Sequence, residues 1–163
     1  MPRSIARIGC AALLLAASPA FAAGLGRPTI PWENSFAAGV RKAQEEQRPI
    51  LIEFYLHSCG VCKKMEEETL HDPEVVKAAG AFVPIRIEVT EDTATPRILG
   101  IGSAMPEFRV LALDREVLAR SIGFSGPGEF KAMLDKTGLS FRKHGEILKG
   151  EEARKAGRIG EVL

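Results

Sequence analysis

The sequence predicts an α/β domain, on three observations. Helical and strand periodicities alternate along the middle of the chain. The first strand pattern, Ile50 to Leu56, is apolar almost throughout, as a strand buried on both faces is, and two later strand patterns are separated by Asp114-Arg115, a tight hairpin. The 163 residues allow one domain, with 45% hydrophobic and 26% charged residues in ordinary globular proportion. No repeating period is present, which excludes collagen-like, coiled-coil and solenoid architectures. With 22 basic and 21 acidic side chains the formal charge is +1, so nucleic acid is not an expected partner.

Residues 1–22 read as a signal peptide rather than as part of the fold. Met1 to Arg7 carries Arg3 and Arg7 and no acid, Ile8 to Ala17 is apolar, Ser18-Pro19 breaks the run, and Ala20-Phe21-Ala22 offers small residues to a signal peptidase. A spanning helix needs roughly 20 apolar residues, about twice this run, so cleavage after Ala22 is expected rather than anchoring. Residues 23–31 hold Gly and Pro without period and read as a linker.

Trp32, Phe36, Val40 and Ala43 then recur at helical steps, so a helix is predicted over Trp32–Gln47, ended by Arg48-Pro49. The buried strand Ile50 to Leu56 follows, interrupted by one acid, Glu53. His57-Ser58 turns the chain into a helix over Val61–Leu70, with Cys62, Met65 and Thr69 on one side and Lys63, Glu66 and Glu67 on the other. Asp72-Pro73 joins an N-cap to a first-turn proline and predicts a short helix, Pro73–Ala79. Alternating Val83, Ile85, Ile87 and Val89 mark a strand over Phe82–Val89, and Thr95-Pro96 repeats the cap signal before a short turn of helix ending at Gly100 or Gly102. Glu107–Leu113 and Glu116–Ile122 are the hairpin strands. A last helix opens at Ser125-Gly126-Pro127, turns Phe130, Met133 and Leu134 inward and closes at Gly138. The folded domain is therefore expected over residues 32–139, with 140–163 as a polar, solvated tail or frayed helix.

Removing residues 1–22 takes away Cys10 and leaves Cys59 and Cys62 as the remaining thiols, at the strand-to-helix junction. In an oxidising compartment a structural disulfide gains by closing a long loop, and a two-residue spacer closes almost none. The pair therefore serves chemistry, either redox exchange or metal. A structural zinc site needs four ligands, and beyond the two thiols the chain offers His57, His71 and His144; no bound metal is expected. Unpaired N–H groups and the positive dipole end of a helix stabilise a thiolate, which makes Cys59 the attacking thiol. Cys62, one turn on, is placed to resolve a mixed disulfide. Glu53 sits between Ile52 and Phe54, where an isolated carboxylate is costly unless it titrates or is paired. Burial raises its pKa and makes it a usable base.

In the order of its elements and in four features the chain resembles the thioredoxin superfamily. The features are Cys59-Gly60-Val61-Cys62 at a strand-to-helix junction, Glu53 six residues earlier, Met105-Pro106 before a hairpin strand, and Gly123 after the hairpin. Pro49 to Lys63 and Glu66 to Val75 are similar to the C-terminal periplasmic domain of DsbD and related small exported thioredoxin-like proteins. The resemblance implies a mixed four-stranded sheet in the order Phe82, Ile50, Glu107 and Glu116 strands, with helices on both faces. It also implies that Glu53 takes the proton of Cys62. Gly60, Val61, Met105 and Pro106 would form the substrate-binding surface, Met105-Pro106 would match the family's cis-proline, and the backbone of Met105 would pair with an added client strand.

Two residues depart from the family: Met105 stands where Thr or Val is commoner, and Ser58 replaces the usual Trp. Gly60-Val61 carries no donor that would stabilise a reduced thiolate, which points to a reductant; His57 and Lys63 act with that thiolate and Glu66 against it. The expectation is a monomeric, exported, periplasmic thiol:disulfide oxidoreductase without cofactor, serving protein disulfide clients and recharged by a membrane or periplasmic thiol electron donor. Two other readings use the same residues: a copper(I)-handling protein with Cys59, Cys62 and either His57 or Met105 as ligands, and a non-catalytic adaptor.

Overall fold

The computed structural model describes residues 26–160, so the predicted signal peptide, 1–22, and the first residues of the linker lie outside the described residues. Helix α1 spans Phe36–Glu46. It begins later than the apolar stripe suggested, because Ser35 accepts the Ala38 N–H as an N-cap while Glu33, just before it, bridges to Ile85 of a strand. Gln47, in the left-handed region at φ 54°, ends it. Gly39 is required where α1 crosses the sheet, since a Cβ there would lie 2.3 Å from Ile85 Cδ1.

Strand β1 covers Ile50–Tyr55, β2 Val83–Glu88, β3 Glu107–Leu111 and β4 Val117–Ile122. They form one mixed sheet in the order β2-β1-β3-β4, with β1 parallel to β2 and antiparallel to β3. This is the order that the resemblance implies and the α/β class that the element pattern predicts. The hairpin turn places Arg115 at φ 74° and lets the Asp114 carboxylate accept the Glu116 N–H.

Successive residues of β1 face opposite sides. Ile50, Ile52 and Phe54 join Val83, Ile85, Ile87 and Leu111 in a core covered by α1. Leu51 joins Phe108 and Val110 on the other face, together with Met65, Leu70, Val75, Phe130 and Leu134 from the helices there. By the same alternation Glu53 points into this second face.

That face is covered by α2 (Gly60–Met65), α3 (Pro73–Ala79) and α5 (Pro127–Gly160). The predicted Val61–Leu70 helix is α2 followed by one turn of π-helix over Glu66–Leu70, with Cys62, Met65 and Thr69 buried as their spacing required. Glu66, expected on the outer side, is half-buried instead. α3 has its expected bounds, with Asp72 accepting the Glu74 and Val75 N–H groups. α4 spans Ala94–Ile98 and is capped by Asp92, not begun at Thr95: one Asp92 oxygen accepts the Ala94 and Thr95 N–H groups and the other the Thr95 hydroxyl.

The largest departure is α5, which continues through Gly138 for 34 residues instead of closing there. Gly138 keeps a helical backbone, and an interior glycine costs a helix only about 1 kcal/mol where no proline follows. The hydroxyls of Thr137 and Ser140 donate back to carbonyls one turn earlier, and His144 bridges to Asp114 and Glu116 of the hairpin turn. No helix among the described residues is long and apolar enough to cross a membrane.

Candidate active site

β1 ends at Tyr55, and the turn through His57-Ser58 delivers Cys59 to the first position before α2 in an extended conformation, φ −79° and ψ 115°. A sulfur thus takes the place of an N-cap oxygen: Cys59 Sγ accepts the Cys62 N–H at 3.2 Å. Cys59 is half-exposed and Cys62, one turn along, is buried.

The two thiols are shifted in opposite directions. Burial pushes the Cys59 thiol up, but hydrogen bonds from the Cys62 thiol and from the Cys62 and Val61 N–H groups outweigh it and leave the pKa lowered. Burial, reinforced by its hydrogen bond to Cys59 and by the Cys59 and Glu53 charges, pushes Cys62 up to about 12. A thiolate therefore forms first on the sulfur that solvent can reach.

Facing Cys59 is the peptide between Met105 and Pro106, which is cis. The Met105 carbonyl oxygen lies 3.7 Å from Cys59 Sγ, and the Gly123 N–H donates to the Pro106 carbonyl at 2.8 Å. Gly123 has φ 81°, a backbone open to glycine without strain. Around Cys59 the expected substrate-facing residues are split by burial: Gly60 and Val61 are exposed at the start of α2, Met105 is half-buried and Pro106 is buried. Phe124, after Gly123, carries the Lys64 ammonium 4.2 Å above its ring.

Glu53 is fully buried beneath this helix, in the face expected from its strand position. Its pKa is raised by burial to about 8, against the opposing charge of Arg86. Arg86 stands beside it in register on β2 and brings Nε to 2.8 Å from Glu53 Oε2, close enough for an ion pair but not aligned as a hydrogen bond. The same guanidinium contacts Glu66 Oε2 at 2.5 Å and lies over the Tyr55 ring at 4.3 Å. His71 in turn meets Glu66 Oε1 at 3.0 Å and the Pro28 carbonyl oxygen at 2.7 Å. A cavity of about 230 Å³ opens beside this chain of charges, lined by Tyr55, His57, Cys62, Glu66 and Arg86.

The structure brings together the two cysteines, Glu53 and the Met105-Pro106 peptide that the sequence singled out; Arg86 beside Glu53, and the place of Glu66 between Arg86 and His71, were not legible there. The signal for Arg86 was its phase. It is out of step with Val83, Ile85 and Ile87, which places it on the face of Glu53 once β1 and β2 are paired. His57, a candidate copper ligand, shares the cavity with Cys62 but is not within mutual ligand reach of the two thiols; its exposed ring is edge-on to Tyr55 and 3.7 Å from Glu91. Among the described residues the one group of three His, Cys, Asp or Glu side chains with ligand atoms in mutual reach is Asp114, Glu116 and His144. There the two ring nitrogens of His144 face different carboxylates, at 2.8 and 3.2 Å.

The family model for thioredoxin-like proteins matches residues 31–112, half of the chain. The thiol:disulfide interchange protein DsbD of Salmonella typhimurium is 36% identical over 99 residues, 56% of this chain and 17% of that protein. DsbD of Vibrio vulnificus is 35% identical over 52 residues, 32% of this chain and 9% of that protein. The chain thus spans a small part of the curated relatives it matches. Among solved structures, a thioredoxin from Thermus thermophilus superposes with a TM-score of 0.64 over 72% of this chain and 93% of that one, at 23% identity. The oxidised C-terminal domain of Neisseria meningitidis DsbD gives 0.55 over 62% and 90%, at 26% identity. By its fold, its paired cysteines at the start of a helix and this family match, the chain belongs to the thioredoxin-like family within the thioredoxin superfamily.

Proposed function

We propose that this protein is an exported thiol:disulfide oxidoreductase that reduces disulfides of periplasmic protein clients through Cys59 and Cys62. The reading rests on the opposite character of the two thiols: one half-exposed with a lowered pKa, the other buried with a raised one and a buried carboxylate under the same helix. The Cys59 thiolate attacks one client sulfur, forming a mixed disulfide and releasing the other client sulfur as a thiolate, which takes a proton from solvent. The negative charge on Cys59 disappears in that step, and with it part of what holds the Cys62 proton. Glu53 in its carboxylate form accepts that proton, Cys62 attacks Cys59 Sγ, and the second client thiolate leaves. Two electrons have passed to the client, and Cys59 and Cys62 remain as a disulfide.

A carboxylate near pKa 8 suits this task better than an ordinary one, because the proton it must take is held tightly. The proton on Glu53 then returns to solvent, and the cavity lined by Cys62 and by Arg86, the ion-pair partner of Glu53, lies next to it. A thiol donor in the membrane or periplasm restores the dithiol, and the exchange needs no metal or organic cofactor.

The test is insulin reduction by the protein without residues 1–22, together with a redox titration of the Cys59-Cys62 couple. Reduction lost in Cys59→Ser, with a potential near that of thioredoxin at about −270 mV rather than about −120 mV, is the expected result. A chain that binds clients but reduces none is a binding module instead.

A further inference from the structure

The face of the sheet opposite Glu53 holds a buried group of charges that the exchange chemistry does not use. Glu107 and Arg109 alternate on β3 with Phe108 and Val110 and are 1% and 9% exposed. Arg109 donates from Nε to Glu107 Oε1 at 2.6 Å, from one terminal nitrogen to the Leu99 carbonyl oxygen and from the other to the Gly100 carbonyl oxygen at 3.1 Å. Arg120, directly across from Arg109 on β4, donates to both Glu107 oxygens at 2.9 and 3.0 Å. Two arginines facing each other across a strand pair repel, and Glu107 between them is what lets both stay. Burial pushes the Glu107 carboxyl up, and the hydrogen bonds from Arg120 and Arg109 more than reverse it.

These contacts join the two ends of one segment. Leu99 and Gly100 close α4, and Gly100 turns the chain at φ 63°. Glu107 follows Pro106, which follows Met105, the residue whose carbonyl faces Cys59. Among the described residues, 102–105 make no backbone hydrogen bond to the rest of the main chain. Leu99, Ile101 and Met105 rest against the core under α1, which sets how deep the segment lies. The Gly100 and Ile101 N–H groups bond back into α4 and the Gly123 N–H holds the Pro106 carbonyl. The fork of donors at Arg109 adds a directional tie between the end of α4 and β3, which apolar contact does not supply.

We propose that Arg109, seated by Glu107, is a positioning residue for client recognition: it fixes the segment from Gly100 to Pro106 so that the Met105 backbone is presented, beside Cys59, to an extended peptide carrying the client disulfide. The proposal rests on the disulfide-exchange reading above and deepens it. A buried ion pair adds little net stability compared with apolar residues of the same volume. Its contribution here is geometry at two successive carbonyls, which an apolar side chain cannot supply.

The test compares two disulfides of different size on the same variants. Arg109→Lys keeps a cation for Glu107 but reaches only one carbonyl, and Arg109→Met removes both ties. For insulin, KM is expected to rise about tenfold in either variant, the equivalent of one or two lost hydrogen bonds, and the loss in kcat/KM to exceed that for the small disulfide 5,5′-dithiobis(2-nitrobenzoate) by a similar factor. Amide exchange at Gly100 and Ile101, whose N–H groups bond back to the Arg97 and Pro96 carbonyls, should quicken in both. Should Arg109→Met fail to fold, Arg109→Lys carries the test alone. Equal losses for both disulfides, or exchange at Gly100 and Ile101 as slow as in the parent protein, overturn the proposal. A parent protein that reduces neither disulfide overturns the exchange reading instead, and amide exchange then decides the clamp by itself.

Discussion

Arg86 reaches Glu53 from the side: its Nε stands 2.8 Å from Oε2, yet neither oxygen of the carboxylate completes a hydrogen bond. The guanidinium is shared, since its other end holds Glu66 and its face lies on Tyr55. A fully aligned, bidentate arginine would favour the carboxylate form and depress the pKa. Here burial outweighs the incomplete pairing, and Glu53 titrates near 8 instead of near 4.5. Burial, opposed only in part by this shared guanidinium, is therefore what leaves Glu53 able to gain and lose a proton under neutral conditions.

The sign of the resulting pH dependence follows from linkage. Between pH 4.5 and about 8 the folded protein keeps a proton on Glu53 that the unfolded chain has released. Stability contributed by this group therefore falls as pH rises through that window. Glu53→Gln removes the slope and should be the more stable protein above pH 8, by on the order of a few kcal/mol. Urea unfolding of both proteins at pH 5, 7 and 9 reads this directly, and parallel curves would return Glu53 to the status of an ordinary carboxylate.

The same variant separates the two chemical steps. Glu53→Gln should leave the attack of Cys59 on a disulfide within about threefold of the parent and slow release from the mixed disulfide by about a hundredfold, the usual contribution of a general base. Single-turnover quenching, which resolves mixed disulfide from product, is the measurement.

Arg86→Met removes the cation that lowers Glu53. The pH at which resolution becomes fast should then move upward, by about one unit or more for a buried carboxyl. Attack by Cys59 should keep its pH profile. A resolution profile that stays in place would mean that Arg86 does not act on Glu53.

In the reduced protein, iodoacetamide at pH 7 should modify Cys59 at least about tenfold faster than Cys62, because a thiolate is the reacting form and Cys62 is both buried and raised to about 12. Cys62→Ser should accumulate mixed disulfides with clients on Cys59, and Cys59→Ser almost none. Equal alkylation rates would remove the argument from the start of α2.

His144 fastens the far half of α5 to the hairpin through Asp114 and Glu116. The hydrogen bond from His144 holds the Asp114 carboxyl below its usual range, so its contribution is present at neutral pH and is lost as pH falls through that lowered value. His144→Ala should speed amide exchange over residues 140–150 while changing global stability by less than about 0.5 kcal/mol. Exchange unchanged in that segment would show the helix to be held by other contacts.

The apolar run of Ile50 to Leu56, the alternation of Val83 to Val89 and the Asp72-Pro73 cap are written in short-range pattern, and the sequence by itself determined those elements together with the placing of Cys59 before a helix. Side chains at helical or two-residue spacing select a local backbone whatever lies elsewhere in the chain. Tertiary structure decided the rest. Arg86 became the neighbour of Glu53 only when β2 paired with β1 in one register, and Arg109 met the Leu99 and Gly100 carbonyls only when β3 lay beside the end of α4. Glu66 left the solvated side for a place between Arg86 and His71, and α5 outran the glycine that a local reading takes for its end. Each of these depends on residues far apart in the chain arriving at one place, which no periodicity within either segment encodes.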